Sequence, residues 1–265
     1  MNKFERWLNK RAAIKLATKI VQDNLITKAA ENSKEGIPVL IVSFNNAVYV
    51  SNMVNQLNER NILPIVIDNA SSDLSTIDTL STFKKSQAIV LFSDKNLSHL
   101  VGFLDPIYKL LPETFAYTDP DLQLNSNLPE NFLTQMAEIC KKYEVYKSGM
   151  ALEINIDAKI RDIRSNTSRK YPFEFNKTHT VMDWESQYWK MPLKHENLEI
   201  YAANVDTTFA VYQKSFFNGE FAKAVRIAGN YSAIHLPWFD SLDITSIQDR
   251  AIYANTAKHS TWIKS

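Results

Sequence analysis

Two carboxylates flank a proline in the segment FAYTDPDLQL, where Asp119 and Asp121 follow an apolar run. Like charges this close repel each other, and both lose hydration if the end of the run is covered. A divalent cation reverses that cost, because its own charge dominates the local electrostatics. An exposed Asp-Pro turn is the alternative, since Asp and Pro both favour turns. The residue types alone leave a cation site and a simple turn open.

The segments around this pair predict the sheet that would position it. Continuous apolar runs rich in β-branched residues are typical of strands covered on both faces. Two segments with helical spacing, 45–60 and 73–84, separate the first three runs, so the order β-α-β-α-β predicts a parallel sheet with right-handed crossovers. The predicted strands are IPVLIVSF (37–44), LPIVIDNASSD (63–73), QAIVLFSD (87–94) and TFAYTDPD (114–121).

Polar residues cluster where the predicted strands end. Ligands of such sheets lie beyond the carboxyl ends of the strands. The fourth strand brings Asp119 and Asp121 to the same edge as Asp68, which a simple turn does not explain, so convergent polar groups favour a binding cleft. The other polar residues at this edge are Ser43, Asn45, Asn69, Ser71, Ser72 and the stretch 94–98.

The second half of the chain has a more mixed pattern, and we expect it to join the same sheet rather than form an independent domain. An amphipathic helix at 129–144 precedes a strand at 145–154, and residues 161–179 are polar and loop-like. A short helix, two alternating segments typical of antiparallel strands and a closing helix follow. These four lie at 181–191, 198–214, 224–238 and 246–259.

Composition excludes several classes of function. The formal net charge of +1 over 265 residues gives no overall field for nucleic acid. Cys140 is the single cysteine, which excludes an internal disulfide and a cysteine-based zinc site and fits a reducing compartment. The five glycines form neither a P-loop nor a G-x-G-x-x-G turn, so a bound nucleotide would need a metal, Lys and Arg, or a helix N-terminus to neutralise its charge.

The first thirty residues predict a basic amphipathic helix. Residues 3–30 contain neither Gly nor Pro, and NSKEG at 32–36 reads as a linker, so 1–36 form an extension before the main domain at 37–265. The charged start is not a secretory signal, and no apolar run approaches the ~18 residues of a membrane span. The helix either lies on an anionic membrane surface or packs on the domain or a partner subunit. Its predicted apolar stripe comprises Phe4, Trp7, Leu8, Ile14, Ala17 and Val21.

The segments IPVLIVSFNN, IVIDNASSD, the DKN after the third strand, and YTDPD together resemble the family 2 glycosyltransferases over roughly 37–125. SGMALEI, WESQYW, VDTTFAVY and AIHLPW resemble a bacterial branch that builds surface polysaccharide or lipopolysaccharide. The resemblance implies an α/β protein with the GT-A (Rossmann-like) fold, in which a mixed, mainly parallel sheet is flanked by helices. Residues 37–125 would bind the nucleotide sugar, and 126–265 would bind the acceptor and complete the metal site.

The resemblance also implies a donor, usually a uridine diphosphate sugar, a divalent cation (Mn²⁺ or Mg²⁺) and transfer with inversion to a saccharide or lipid-linked acceptor. Asp121 is the expected first metal ligand, with Asp119 at ribose and metal, although Pro120 between them stiffens the backbone. His235 is a candidate third ligand, or else a core or strand-end histidine. The predicted nucleotide-sugar-binding residues are Ser43, Phe44, Asn45, Asp68, Asn69, Lys95, Asn96 and Asp119.

Inversion in one displacement needs a general base opposite the leaving diphosphate. The resemblance favours the helix start DWE, hence Glu185 or Asp183, with Asp206 in reserve; helix capping is the alternative role of Asp183. Glu153, Trp184 and Trp238 are the predicted acceptor-binding residues.

Two other functions stay open at this stage. A sugar nucleotidyltransferase also places carboxylates and metal at a sheet edge, although SFNNAVYV lacks the glycine-rich signature common in such enzymes. A non-catalytic GT-A-like partner protein is the other, against which Asp68, Asp119, Asp121 and His235 argue. The expected location is cytoplasmic, with peripheral contact at the inner face of the membrane through residues 1–30.

Overall fold

The computed structural model describes residues 3–161, 164–165 and 179–256. Its helices are α1 (Lys3–Gln22), α2 (Leu25–Glu31), α3 (Ala47–Asn58), α4 (Leu74–Thr82), α5 (Asp105–Tyr108), α6 (Phe132–Tyr143), α7 (Val181–Ser186) and α8 (Ile247–Thr256). Its strands are β1 (Val39–Ser43), β2 (Ile65–Asp68), β3 (Ile89–Phe92), β4 (Thr114–Thr118), β5 (Leu122–Leu124), β6 (Lys147–Met150), β7 (Arg164–Ser165), β8 (His179–Thr180), β9 (Pro192–Leu193), β10 (Ile200–Ala202), β11 (Ala210–Gln213), β12 (Ala224–Ile227) and β13 (Ala233–His235).

Nine strands form one sheet in the order β3-β2-β1-β4-β11-β6-β12-β10-β9. The strands β3, β2, β1 and β4 are parallel neighbours, as the β-α-β-α-β pattern predicts. The strand β11 runs antiparallel between β4 and β6, and β6 is parallel to β12. The predicted α/β class with a mixed sheet flanked by helices is therefore confirmed, and strands from both halves of the chain build it.

The first strand is apolar over residues 39–42 because helices cover both faces of the sheet. All five residues of β1 are buried, and their side chains alternate between two clusters. Val39 and Ile41 pack with apolar residues of α3 and α6, whereas Leu40 and Val42 pack with residues of α1 and α2. Such two-sided burial removes the polar alternation that a half-exposed strand would show.

The predicted elements of the second half exist with shorter bounds. The segment 198–214 contains β10 and β11, and the segment 224–238 contains β12 and β13. The strand β13 is not part of the large sheet and pairs antiparallel with β5 in a separate two-stranded ladder. The polar segment 161–179 lies largely outside the described residues, as do 257–259 of the predicted closing helix.

The N-terminal prediction needs two corrections. The single helix over 3–30 is wrong, because Asn24 adopts a left-handed conformation with φ of 52° and separates α1 from α2. The predicted apolar stripe is divided between two faces of the helix, because Trp7, Ile14 and Val21 are exposed whereas Ala17 is buried. The face that packs on the sheet consists of Ala12, Ala13, Leu16, Ala17 and Ile20. Within the described residues, no helix combines the length and apolarity needed to cross a membrane.

Candidate functional site

The loops that follow β1 and β2 are tied together through Asn45. This residue is 4% exposed and adopts a left-handed conformation with φ of 50°. Its Oδ1 accepts the N–H groups of Ser72 and Asp73 at 2.8 and 2.9 Å, and its own N–H donates to Ser71 Oγ at 2.8 Å. Asn45 therefore holds the two loops at a fixed distance, and its side-chain oxygen and backbone N–H are hydrogen-bonded within the protein.

Asp68 ends β2 and is held by its neighbours in the same way. Its carboxylate accepts the Ser71 hydroxyl at 2.5 Å, the Ser71 N–H at 3.0 Å and the Ser43 hydroxyl at 3.4 Å. Burial raises the pKa of Asp68, and the hydrogen bonds from Ser71 and Ser43 oppose that shift. The parallel register that pairs Ser43 with Asp68 brings the two side chains together.

The next loop is attached to β2 by Asn69. Its Nδ2 donates to Asn96 Oδ1 at 3.1 Å and to the Ser98 carbonyl at 2.7 Å, while its Oδ1 accepts the Leu97 N–H at 2.6 Å. Asn69 is 2% exposed, whereas Asn96 lies at the surface. The predicted residues Phe44 and Lys95 are partly exposed on this same rim. The structure thus brings the predicted nucleotide-binding residues of three loops to one edge.

Asp119 follows β4 and faces the loop before β11. Its Oδ2 accepts the Thr207 hydroxyl at 2.6 Å, and its N–H donates to the Thr207 carbonyl at 3.0 Å. Burial raises the pKa of Asp119 to about 7, and the nearby Asp121 carboxylate adds to the shift. The two carboxylates thus interact across Pro120, although their side chains have different neighbours.

Asp121 forms a close pair with His235. Their Oδ2 and Nε2 atoms lie 3.3 Å apart, and the side chains are 14% and 17% exposed. The antiparallel β13–β5 ladder sets this distance, because it pairs His235 with Leu122 and the Leu236 N–H donates to the Asp121 carbonyl at 3.0 Å. The ring of Trp238 packs 4.5 Å from the imidazole. The late histidine therefore contacts the Asp-Pro-Asp segment.

The pair leaves two buried polar atoms unsatisfied. Asp121 Oδ1 and His235 Nδ1 are buried, and neither has a hydrogen-bond partner among the described residues. Such atoms are costly unless another group contacts them. No set of three or more His, Cys, Asp or Glu side chains within the described ranges could hold a metal ion. Asp121 and His235 offer one carboxylate and one imidazole, a donor set that fits Mn²⁺ with its other ligands from elsewhere.

The three candidate bases have different surroundings. Asp183 is exposed, but its carboxylate completes a capping box with Thr180 at the start of α7. Glu185 is 1% exposed, forms a buried ion pair with Arg226 and has its pKa raised to about 7 by burial, which outweighs the effect of Arg226. Asp206 has a side chain 77% exposed, with its Oδ1 4.0 Å from His99 Nε2. Asp183 caps a helix and Glu185 is buried in an ion pair, whereas the carboxylate of Asp206 is accessible to solvent.

The predicted acceptor-binding residues are only partly at the surface. Glu153 and Trp184 are partly exposed, and the Glu153 N–H donates to the Ala233 carbonyl at 2.9 Å. Trp238 is 3% exposed and packs against His235, so in this structure it supports the histidine.

Sequence reasoning missed Lys147, Thr207 and Arg226. The Lys147 ammonium is completely buried, donates to the Asp206 carbonyl at 3.0 Å and lies 3.8 Å from the centre of the Phe221 ring. The Arg226 guanidinium donates from Nε to the Asn204 carbonyl at 2.9 Å and lies 4.1 Å from the Tyr188 ring centre. A signal was present in VYKSGM and AVRIAG, where one charge interrupts an otherwise uncharged strand.

Comparison with known proteins yields structural similarities alone. No protein-family model matches the sequence, and no curated protein matches it. The mannosyltransferase PcManGT from Pyrobaculum calidifontis, solved in complex with GDP-Man and Mn²⁺, is 11% identical with a TM-score of 0.44; the match covers 95% of this chain and 73% of that one.

Structures of S. aureus TarS are also similar. TarS 1-349 in complex with UDP-GlcNAc is 11% identical with a TM-score of 0.36, and the match covers 68% of this chain and 45% of that one. A further TarS structure is 13% identical with a TM-score of 0.34, covering 49% of this chain and 24% of that one. This chain thus spans less than half of the TarS chains. The identities and TM-scores of these three matches are low.

Proposed function

We propose that this chain transfers a sugar from a nucleoside-diphosphate donor, preferably a uridine diphosphate sugar, to a saccharide or lipid-linked acceptor with inversion. The observation that carries the proposal is the Asp121–His235 pair, 3.3 Å apart, at the edge where the loops after β1, β2 and β3 converge. Two buried atoms of the pair have no hydrogen-bond partner among the described residues, and the sequence has no glycine-rich loop to hold a diphosphate. A metal-assisted diphosphate leaving group meets both conditions.

The donor nucleoside would lie against the three tied loops. These loops are hydrogen-bonded to Asn45, Asp68 and Asn69, so we propose that the three residues shape the pocket and do not contact the donor. Phe44 and Lys95 are partly exposed on the same rim and would contact the base and the phosphates. This division gives a preorganised pocket, which lowers the entropic cost of binding.

Asp121 and His235 would hold a divalent cation, with Asp119 oriented by Thr207 beside them. When bound, Mn²⁺ or Mg²⁺ would neutralise the negative charge that develops on the leaving diphosphate. The protein's own contribution is to fix the two ligands through the β13–β5 ladder and to shield the imidazole with Trp238.

We further propose Asp206 as the general base, because a base must contact the acceptor hydroxyl whose proton it takes. Its carboxylate is exposed next to Thr207, which binds Asp119. Glu185 and Asp183 are the alternatives that the resemblance favoured. Glu153 and Trp184 are partly exposed residues that would contact the acceptor.

The proposed biological setting is the synthesis of bacterial surface glycan. A reducing, cytoplasmic compartment agrees with Cys140, which is a free and buried cysteine.

The test is a donor screen with purified protein. Hydrolysis of UDP and GDP sugars, with water as acceptor, is measured by release of the nucleoside diphosphate, with Mn²⁺ or with excess EDTA. We expect turnover of at least one donor, loss of it in EDTA, and loss in Asp121→Ala, while Asp105→Ala on an exposed helix stays active. Turnover unchanged by EDTA would refute the metal role. Release of pyrophosphate from a nucleoside triphosphate and a sugar phosphate would instead identify a nucleotidyltransferase.

A further inference from the structure

The helix α1 has a second apolar surface that faces away from the sheet. Its inner face, with Leu16 and Ile20, is buried in the core beneath the sheet. Trp7, Ile14 and Val21 are 50%, 45% and 60% exposed. Residues seven apart are nearly two helical turns apart, so these three side chains form one line along the helix.

Basic side chains border this line. We use the name outer face for the exposed residues Arg6, Trp7, Lys10, Arg11, Ile14 and Val21 of α1. The Arg11 guanidinium lies 4.8 Å from the centre of the Trp7 ring. The exposed residues of the helix between 5 and 22 include five cations but one acid, Glu5, so a surface that complements this face is anionic.

The position of α1 relative to the sheet directs its N-terminal part toward the carboxyl ends of the parallel strands. Lys15 pairs with Asp94 at 2.7 Å, and Asp94 follows β3 at the carboxyl edge of the sheet. The chain after α1 continues through α2 to the opposite edge, where β1 begins. The N-terminal part of α1 therefore lies toward the carboxyl ends of the strands, the same end of the sheet that precedes Asp121. With 1.5 Å per residue, Trp7 lies roughly 12 Å beyond Lys15 along the helix axis.

We propose that the outer face docks on an anionic phospholipid surface. A helix lying in the plane of such a surface inserts its apolar line at the boundary between headgroups and acyl chains, while its cations contact the headgroups. Tryptophan favours this boundary, because its ring is apolar and its N–H is polar. The inner face keeps α1 on the sheet, so docking turns the rim of the site toward the membrane. The inference is independent of the proposed catalytic activity.

The test is sedimentation of the full chain with vesicles of phosphatidylcholine containing none or about a third of phosphatidylglycerol. We expect binding to the anionic vesicles alone, weakened by salt. Trp7→Ser combined with Ile14→Ser should lower the partition coefficient about tenfold or more. Its matched control is Leu74→Ser combined with Ile247→Ser, which removes two other exposed apolar side chains and should leave binding unchanged.

A second pair of variants separates charge from apolar contact. Lys10→Gln with Arg11→Gln should weaken binding about tenfold, whereas Lys141→Gln with Lys142→Gln, at the exposed end of α6, should not. Circular dichroism and thermal unfolding confirm that each variant is folded. Equal binding to neutral vesicles, or unchanged binding of both α1 variants, overturns the proposal. Concentration-dependent self-association through Trp7 and Ile14, without vesicle binding, overturns it in favour of a second copy as the occupant.

Discussion

The role open to each carboxylate of the site depends on what its oxygens already contact. Asp68 accepts three hydrogen bonds within the protein, and Asp183 completes a capping box. Glu185 is paired with Arg226 out of contact with solvent. Asp121 retains one buried oxygen without a partner in the described part of the chain, and Asp206 exposes its side chain. Among these carboxylates, we therefore propose Asp121 for ligand binding and Asp206 for base catalysis.

The assignment of the base leads to the first prediction. Asp206→Asn keeps the shape of the side chain and removes its basicity, so turnover should fall roughly 10²–10⁴-fold. Donor affinity, measured by titration of the nucleotide sugar, should stay within about threefold, because the Lys147 bond to residue 206 uses the backbone carbonyl. Asp183→Asn is the matched control and should keep near-normal turnover. If Asp206→Asn turns over normally while Glu185→Gln is inactive but stable, the base is Glu185.

The sequence predicted the positions of those candidate residues that directly follow the end of a strand. Asp119 and Asp121 lie next to a strand end, and parallel strands bring such ends to one edge, so Asp68 and Asn69 follow from the same rule. The contact between Asp119 and Thr207 follows no such rule. It depends on β11 inserting antiparallel beside β4, which joins residues 88 positions apart. Pairings of this kind are set by the whole sheet and leave no local pattern.

At the scale of elements, a buried ion pair joins α7 to the sheet. Arg226 lies on β12, pairs with Glu185 of α7 and also donates to the Asn204 carbonyl. Both charges are out of water, so each depends on the other for compensation. The pair therefore fixes the short helix α7 above β12.

Removing one partner should destabilise the fold. Glu185→Gln leaves the Arg226 charge buried and uncompensated, which typically costs about 3–5 kcal/mol. We expect that loss in the free energy of unfolding, measured by urea titration with tryptophan fluorescence. Asp105→Asn breaks the exposed Lys109–Asp105 pair and should change stability by less than about 1 kcal/mol. Adding Arg226→Met to Glu185→Gln should restore part of the loss. Unchanged stability of Glu185→Gln would show that the pair has no structural role.

For the helix α1, side-chain size explains why the predicted apolar stripe differs from the face that packs on the sheet. The buried line is largely alanine, with Leu16 and Ile20, because the helix packs closely on the sheet. The larger side chains Trp7 and Ile14 indicate the exposed line instead. Hydrophobicity predicts that an apolar face is covered, but it does not tell which of two faces meets the sheet when small residues line one of them. Similarly, the break at Asn24 comes from a left-handed residue inside a continuous helical composition.

At the scale of the molecule, one sheet connects the donor-side loops with the second half of the chain. The strand β11 lies between β4 and β6 in the sheet. Residues of β6 contact the loop that bonds Asp119. A side chain at Gly149 would collide with Val205, at 2.6 Å from its nearest atom, so the loop packs directly on the strand. Lys147 of the same strand bonds the Asp206 carbonyl. The site and the stability of the sheet are therefore coupled through this one strand.

The burial of Lys147 predicts that the stability of the fold depends on pH. Burial lowers the pKa of Lys147 from 10.5 to about 7, while the carboxylate of Asp206 opposes this shift and Arg226 adds to it. Tyr212 and Phe221 enclose the ammonium. Between pH 7 and 10 the unfolded chain keeps a proton that the folded chain has released, so folding stability rises with pH over this window.

The comparison of variants isolates this contribution. Relative to Lys147→Met, the parent chain should gain up to about 1.4 kcal/mol of unfolding free energy per pH unit above pH 7, measured by urea titration from pH 6.5 to 9.5. Lys147→Arg keeps a charge that does not titrate in this range and should also lack the gain. Lys109→Met, at an exposed lysine, should give a curve parallel to that of the parent chain. Parallel curves for the parent chain, Lys147→Met and Lys147→Arg would show that Lys147 keeps its proton throughout, and that the Asp206 carbonyl and the aromatic rings compensate its burial completely.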